Sequence, residues 1–334
     1  MQTMTLHFHA APSQAGRQLP WPMTSGRQFN VPILRSGILA RAFCRHARVA
    51  EVAAVFDRSL YLRAGDVFVC IGKLDMGNGP LTLIADSASF RLSDLAVNPG
   101  QSALISERRI RIGGTVQFTL DRCELWRTPH WPIPLSPDRL TGAAEALARL
   151  AIIEAPREGL ARQILCSHAG GSLSRIARRR IASFKDWLSD ALKANDAAQG
   201  VLPPPVRALI GLGCGLTPSG DDFLVGALAL LDALAERKAF ESLGYELTHA
   251  SPALTSPLSH CFLRAAAAGY VGENLYQTVS SVIVGKVDSA ITAVRKIGHS
   301  SGWDMLTGIA ITLKIFATAR LEPRGCPPGD VMPN

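Results

Sequence analysis

Apolar and polar positions divide the chain into two halves with different periods. Between residues 30 and 130 the apolar residues fall in short β-branched runs at 49–56, 66–71, 81–85, 103–112 and 115–126, separated by Gly, Asp, Asn or Pro. Arg109-Ile110-Arg111-Ile112 alternates as a half-exposed strand does, and Gly113-Gly114 predicts a hairpin turn. Successive strands without a helical pattern between them predict an antiparallel sandwich or a small barrel. A proline-rich joint follows at 127–137, and beyond it the period becomes helical. Residues 139–153 and 175–192 are amphipathic, with Ile181, Phe184, Leu188 and Leu192 on one stripe of the second. Further helices are predicted at 257–268, 273–283 and 288–297, the last stopped by Gly298. The run 223–231 is apolar on every side, which predicts a buried helix. The expectation is an α+β protein: a poorly ordered extension at 1–28, a β-rich domain at 29–130, a helical domain at 131–320 and a tail at 321–334.

Composition narrows the function classes. A chain of 334 residues suits two domains, and 47% hydrophobic with 19% charged residues is a folded composition. The net charge of +8 is scattered, and its densest cluster is Arg175, Arg178, Arg179 and Arg180. On a helix that cluster reads as a solvated or intersubunit face. No aromatic residues interleave with it, so a nucleic-acid groove is not expected, and small anionic substrates explain the charge equally well. Seven dispersed cysteines contain no C-x-x-C pair, which argues against thiolate zinc and suits a reducing cytoplasm. No membrane span or secretion signal is expected.

The chemistry concentrates in a glycine-rich stretch. Gly211, Gly213 and Gly215 precede Thr217-Pro218-Ser219-Gly220-Asp221-Asp222 and then the apolar helix. Ser219 has the character of an N-cap, with Asp222 completing a capping-box-like pattern. Two readings stand. In one, Ser219, Asp221 and Asp222 cap a buried helix and complement its dipole. In the other, free backbone N–H groups hold an anion while the aspartates bind a metal or the substrate. Capping explains one Ser and one Asp, but not three glycines and a second Asp. Cys214 lies inside the loop as a small buried residue or, less readily, a nucleophile.

The stretch has a second copy. Ser219-Gly-Asp-Asp-Phe-Leu-Val-Gly226 lies over Ser301-Gly-Trp-Asp-Met-Leu-Thr-Gly308, 82 positions on, with the shared pattern Ser-Gly-x-Asp-x-Leu-x-Gly. Gly226 and Gly308 lie inside apolar helices, where each costs about 1 kcal/mol against Ala. A close helix crossing at the two glycines accounts for that cost. It also brings both N-termini to one cleft containing Ser219, Asp221, Asp222, Ser301, Gly302 and Asp304. Two capped helices in a bundle would show the same repeat, though not Asp221 or the glycine loop. Three further features are weaker. Thr255-Ser256-Pro257-Leu258-Ser259-His260 reads as a capped helix start. His299 adjoins the second copy. The loop 72–80, with Lys73, Asn78 and Gly79, is an ordinary turn or a place where backbone meets a ligand.

Together the 211–226 stretch and Ile-Gly-His-Ser-Ser-Gly-Trp-Asp-Met-Leu-Thr-Gly at 297–308 resemble the AllH-like family, long catalogued only as a domain of unknown function. Residues 255–259, 263–269, 49–62 and 78–80 are also similar to it, so the resemblance covers about residues 30–320. It implies a subunit of oxamate carbamoyltransferase, an enzyme of anaerobic allantoin degradation. That enzyme moves a carbamoyl group between oxalurate and phosphate, giving oxamate and carbamoyl phosphate. Two companion subunits are implied, one resembling an acyl-CoA synthetase subunit. The Ser-x-Arg-Thr-Arg phosphate motif of the familiar carbamoyltransferases is absent from this chain.

The leading expectation is therefore a cytoplasmic subunit of a carbamoyl-transferring enzyme. Asp221, Asp222 and Asp304 are its candidate catalytic residues. Gly213, Gly215, Thr217, Ser219, Gly220, Ser301, Gly302, Lys73, Asn78 and Gly79 are its candidate anion-binding residues, and Asp221 with Asp222 its candidate Mg2+ ligands. The alternatives are a metal-dependent phosphotransferase, which lacks a P-loop lysine, and a non-catalytic interaction subunit.

Overall fold

The computed structural model describes residues 29–86, 91–165, 172–193 and 204–321. The extension at 1–28, most of the tail, Cys166 and Cys326 lie outside them.

The first half is a barrel. Its strands are β1 (Phe29–Gly37), β2 (Arg48–Val55), β3 (Ser59–Ala64), β4 (Val67–Gly72), β5 (Thr82–Ala85), β6 (Ser102–Ile105), β7 (Arg109–Ile112), β8 (Val116–Thr119) and β9 (Glu124–Trp126). The hydrogen-bonded order is β5-β4-β3-β2-β6-β7-β8-β1, closed by β1 on β5, with β9 added beside β1. Of the two β architectures expected, the barrel forms, and its pairing is mixed. Most neighbours are antiparallel, whereas β1–β8, β1–β9 and β4–β5 are parallel. The run 103–112 is two strands, because it turns at Ser106-Glu107-Arg108, where Ser106 and Arg109 exchange backbone hydrogen bonds. Likewise 115–126 divides into β8 and β9. The alternation predicted at 109–112 is real: Ile110 and Ile112 point into the core while Arg109 and Arg111 are exposed. A short helix, α1 (Ile38–Cys44), also forms in this half, where only strands were expected.

The helices are α2 (Pro137–Glu154), α3 (Ala161–Leu165), α4 (Ser172–Lys193), α5 (Pro204–Arg207), α6 (Ser219–Ala233), α7 (Arg237–Leu254), α8 (Pro257–Ala267), α9 (Glu273–Ile283), α10 (Val287–Val294) and α11 (Ser301–Leu321). As predicted, α6 is buried on all sides, and α11 is its main neighbour. Sequence reasoning missed α7, whose apolar stripe is interrupted by charge at its start and by Pro252 inside it. The proline-rich joint is fastened to the helices rather than free. Trp131 Nε1 donates to Asp232 Oδ2 at 2.7 Å, Tyr276 Oη donates to the His130 carbonyl at 2.8 Å, and the two rings stack with centroids 5.0 Å apart.

A small apolar seam of Leu39, Phe68, Leu81, Leu258, Cys261 and Ala265 joins the barrel to α8. The loop 72–80 completes this seam. Asn78 N and Nδ2 both donate to Glu273 Oε2, at 2.8 and 2.7 Å, and Glu273 N donates to the Asn78 carbonyl at 2.8 Å. Asn274 Nδ2 donates to the Met76 carbonyl at 3.0 Å.

Candidate functional site

Close helix packing brings the two copies of the repeat together. A Cβ on Gly226 would lie 2.1 Å from the Met305 carbonyl oxygen, and one on Gly308 would lie 2.0 Å from that of Phe223. Since 223 and 226 correspond to 305 and 308, these contacts exchange under a local two-fold. The polar groups above them exchange in the same way: the Ser301 hydroxyl hydrogen-bonds Asp222, and that of Ser219 hydrogen-bonds Asp304. Beside them, Thr217 Oγ1 and Ser301 Oγ are 3.2 Å apart.

Neither serine is an N-cap. Pro218 occupies that position before α6, with no side-chain capping bond, and Ser301 is the first residue of α11. Backbone carbonyls cap both ends instead: Gly220 N donates to Leu212 O at 2.8 Å and Gly302 N to Ile297 O at 2.9 Å. The folded-back approach to each helix supplies the acceptor and frees the serine to reach across. This also corrects the expectation of free N–H groups at the start of α6. The backbone N–H groups of Asp221 and Asp222 donate to the Pro218 carbonyl at 2.9 and 3.1 Å, so those of Gly220, Asp221 and Asp222 are used internally.

Further backbone donors come from the loop. Gly211, Gly213 and Gly215 have φ of 72°, 115° and 101°, the region that L side chains avoid. Residues 213–216 are exposed, and the N–H groups from Gly213 to Thr217 donate to no acceptor among the described residues. Cys214 is exposed, not buried as expected, because the flanking positive-φ glycines turn it outward.

The three aspartates differ in kind. Asp221 is saturated. Its Oδ1 accepts from Gly211 N at 2.8 Å, and its Oδ2 accepts from Ser259 Oγ at 2.6 Å and from Thr255 Oγ1. Burial raises its carboxyl pKa, and these donors oppose the rise. Asp222 is 4% exposed and Asp304 is 1% exposed, and each keeps one oxygen, Oδ2, with no hydrogen-bond partner among the described residues. Burial pushes Asp222 well above the usual carboxylate range, and the neighbouring negative charges of Asp304 and Asp221 add to it. Burial also raises Asp304 to about 6.

Other predicted residues have different places. The Thr255–Ser259 segment caps α8 as expected, with Ser256 Oγ accepting from Ser259 N at 3.0 Å. Its further role as the anchor of Asp221 was not foreseen. His260 Nδ1 is 2.6 Å from Ser251 Oγ. His299 is exposed beside Glu158, at 3.6 Å. Asn78 and Gly79 lie in the barrel–helix seam, against Glu273, Thr82 and Gly37. Lys73 begins the same loop, its N–H donating to the Arg58 carbonyl at 3.0 Å. Arg180 of the basic cluster donates to the Ala208 carbonyl at 2.6 Å, bracing the approach to the glycine loop. One part of the site went unnoticed in the sequence: the turn before α3. Leu160 N donates to Asp304 Oδ1 at 2.5 Å, and Gly159, at φ 80°, leaves no room for a side chain beside that carboxylate. The only sequence signal was a lone glycine after Pro156-Arg157-Glu158.

The family model for oxamate carbamoyltransferase subunit AllH matches residues 209–313, which contain both copies of the repeat. The model for the AllH family N-terminal domain matches 34–125, the barrel. The chain belongs to the AllH family. The resemblance read from the 211–226 and 297–308 motifs is thereby borne out across both halves. No solved structure matches the chain. The AllH assignment makes it of the kind that serves as a carbamoyltransferase subunit, with companion subunits implied. Among the described residues no helix is long and apolar enough to cross a membrane, and no group of three or more His, Cys, Asp or Glu side chains could hold a metal ion.

Proposed function

We propose that this chain is the substrate-anion-binding subunit of a carbamoyltransferase that interconverts oxalurate plus phosphate with oxamate plus carbamoyl phosphate, in allantoin breakdown. The reading rests on one observation: the run of N–H groups from Gly213 to Thr217 that have no acceptor among the described residues, beside the Thr217–Ser301 hydroxyl pair. Backbone donors set by positive-φ glycines orient a phosphate or carboxylate without reorganising. When a phosphate oxygen attacks the carbamoyl carbon, charge builds on the carbamoyl oxygen, and the same donors stabilise it. The C–N bond to oxamate then breaks, and the leaving nitrogen takes a proton. Asp222 and Asp304 lie buried beneath this hydroxyl pair and make its surroundings acidic. Asp221 acts as a positioning residue that holds the loop against α8.

The test is reconstitution with the companion subunits and assay of oxalurate formation from oxamate and carbamoyl phosphate. The double substitution Thr217→Val, Ser301→Ala is expected to lower kcat/KM by about 10²-fold or more, since one lost donor to a developing charge costs about 10²–10³. Full activity in that variant would remove the cleft from the mechanism. A second reading, a non-catalytic subunit whose motif only ties two helices, is favoured by the filled oxygens of Asp221 and the inward N–H groups of α6. It predicts a lower melting temperature in the double variant with unchanged affinity for oxamate and carbamoyl phosphate.

A further inference from the structure

Asp222 and Asp304 present an electrostatic imbalance that the helix pair does not resolve. Both are more than nine-tenths buried, and each has an oxygen, Oδ2, without a donor among the described residues. Among the described residues, the charged groups acting on Asp222 are Asp304 and Asp221, which are both acidic. An ionised carboxylate removed from water without a counter-charge costs several kcal/mol, and two neighbouring ones cost more. The hydroxyls of Thr217, Ser219 and Ser301 share the load, yet they are neutral and leave the two Oδ2 atoms unserved.

The chemistry of the donors indicates what would restore the balance. Two carboxylates and three hydroxyls form an all-oxygen set with two negative charges. Hard divalent cations prefer such sets, and magnesium needs only one or two protein carboxylates. A softer metal would call for nitrogen or sulfur, and neither His nor Cys is among these groups. The starts of α6 and α11 carry partial positive charge, which favours the ionised form of both aspartates.

We propose that Asp222 and Asp304 together hold one divalent cation of the magnesium class between the starts of α6 and α11, with the hydroxyls of Thr217, Ser219 and Ser301 beside it. The site differs from the Asp221–Asp222 pair expected from the sequence, because the oxygens of Asp221 are filled by three donors. It requires the crosswise Ser–Asp arrangement but not the carbamoyl reaction, so loss of either reading leaves the other standing.

The test uses the purified full chain without substrate. Mn2+ is titrated at neutral pH in KCl and free Mn2+ is followed by electron paramagnetic resonance, with Mg2+ as competitor. The expected result is one competable Mn2+ per chain. Asp222→Asn and Asp304→Asn are each expected to weaken binding by about tenfold or more, while Asn at the exposed Asp190 leaves it unchanged. Mg2+ is also expected to raise the melting temperature of the wild type and not of the two variants. Should an Asn variant not fold, the Ser219→Ala, Ser301→Ala double variant replaces it, with weakened Mn2+ binding expected. Three results would each overturn the proposal: no Mn2+ bound by the wild type at millimolar concentration, affinity unchanged in the variants, or stabilisation by acid alone with none from Mg2+. The last would mean that the two carboxylates share a proton instead.

Discussion

The two copies of Ser-Gly-x-Asp-x-Leu-x-Gly start from the same pattern and end with different duties. What they share builds the helix pair. Gly226 and Gly308 let each helix touch the other's backbone, and Ser219 and Ser301 reach the aspartate of the opposite copy. What they do not share holds the surroundings. In the first copy the variable position is Asp221, which ties Gly211 to the start of α8. In the second it is Trp303, 6% exposed and packed into the helical core. The difference teaches that the additional aspartate, a reason to suspect chemistry when read in sequence, is an anchor. The matched aspartates are the ones left short of partners.

The strongest way to break the comparison is at the crossing. Gly226→Ala and Gly308→Ala each place a methyl within 2.1 Å of a carbonyl oxygen. Overpacking against backbone is expected to cost about 3 kcal/mol at either position. The double variant should cost less than the sum, because both act on one contact. Urea denaturation of the three variants checks this, and a near-zero effect at one glycine alone would refute the two-fold relation.

Next comes the anchor. Asp221→Asn turns an acceptor of three hydrogen bonds into a group that must present N–H to one side. A buried donor left unsatisfied should cost about 2 kcal/mol. In chelator, Asp222→Asn and Asp304→Asn should cost less than this, since each also removes a buried charge. The same unfolding experiment decides the order, and equal losses at all three positions would erase the distinction between anchor and pair.

A smaller effect is expected from pH. Asp304 is raised from the ordinary 3.8 to about 6, so the folded chain holds its proton more tightly than the unfolded chain. That stability is complete below the unfolded value and is lost as pH rises through the folded one. Without divalent cations, stability should therefore increase by about 1 kcal/mol between pH 7 and pH 5 through this group. Asp304→Asn should flatten the profile over that interval, and an unchanged slope would count against the burial of an ionisable Asp304. The least effect belongs to His299→Ala. That ring is exposed and lies beside Glu158 at the surface, so no shift in melting temperature is expected by calorimetry.

Much of this site was legible in the residues. The repeat, its register and the crossing at Gly226 and Gly308 follow from a glycine placed where a helix gains nothing from one. The seam role of Asn78 and Gly79 was not legible, because Glu273 lies 195 positions from Asn78 and nothing local links them. Nor were the partners of Asp304, since Leu160 is 144 positions away and its N–H carries no side-chain signature.

Local periodicity determined the two-part organisation and the buried character of α6, because each depends on side chains a few residues apart, and the internal repeat pointed to the pairing of the two motifs. Tertiary structure decided the rest. It closed the strands into a mixed barrel, since register depends on partners far along the chain. It replaced the expected serine caps with backbone carbonyls folded back from preceding turns. It also sorted three similar aspartates into one saturated anchor and two underserved partners, because hydrogen-bond saturation is a property of the whole surroundings and not of the residue.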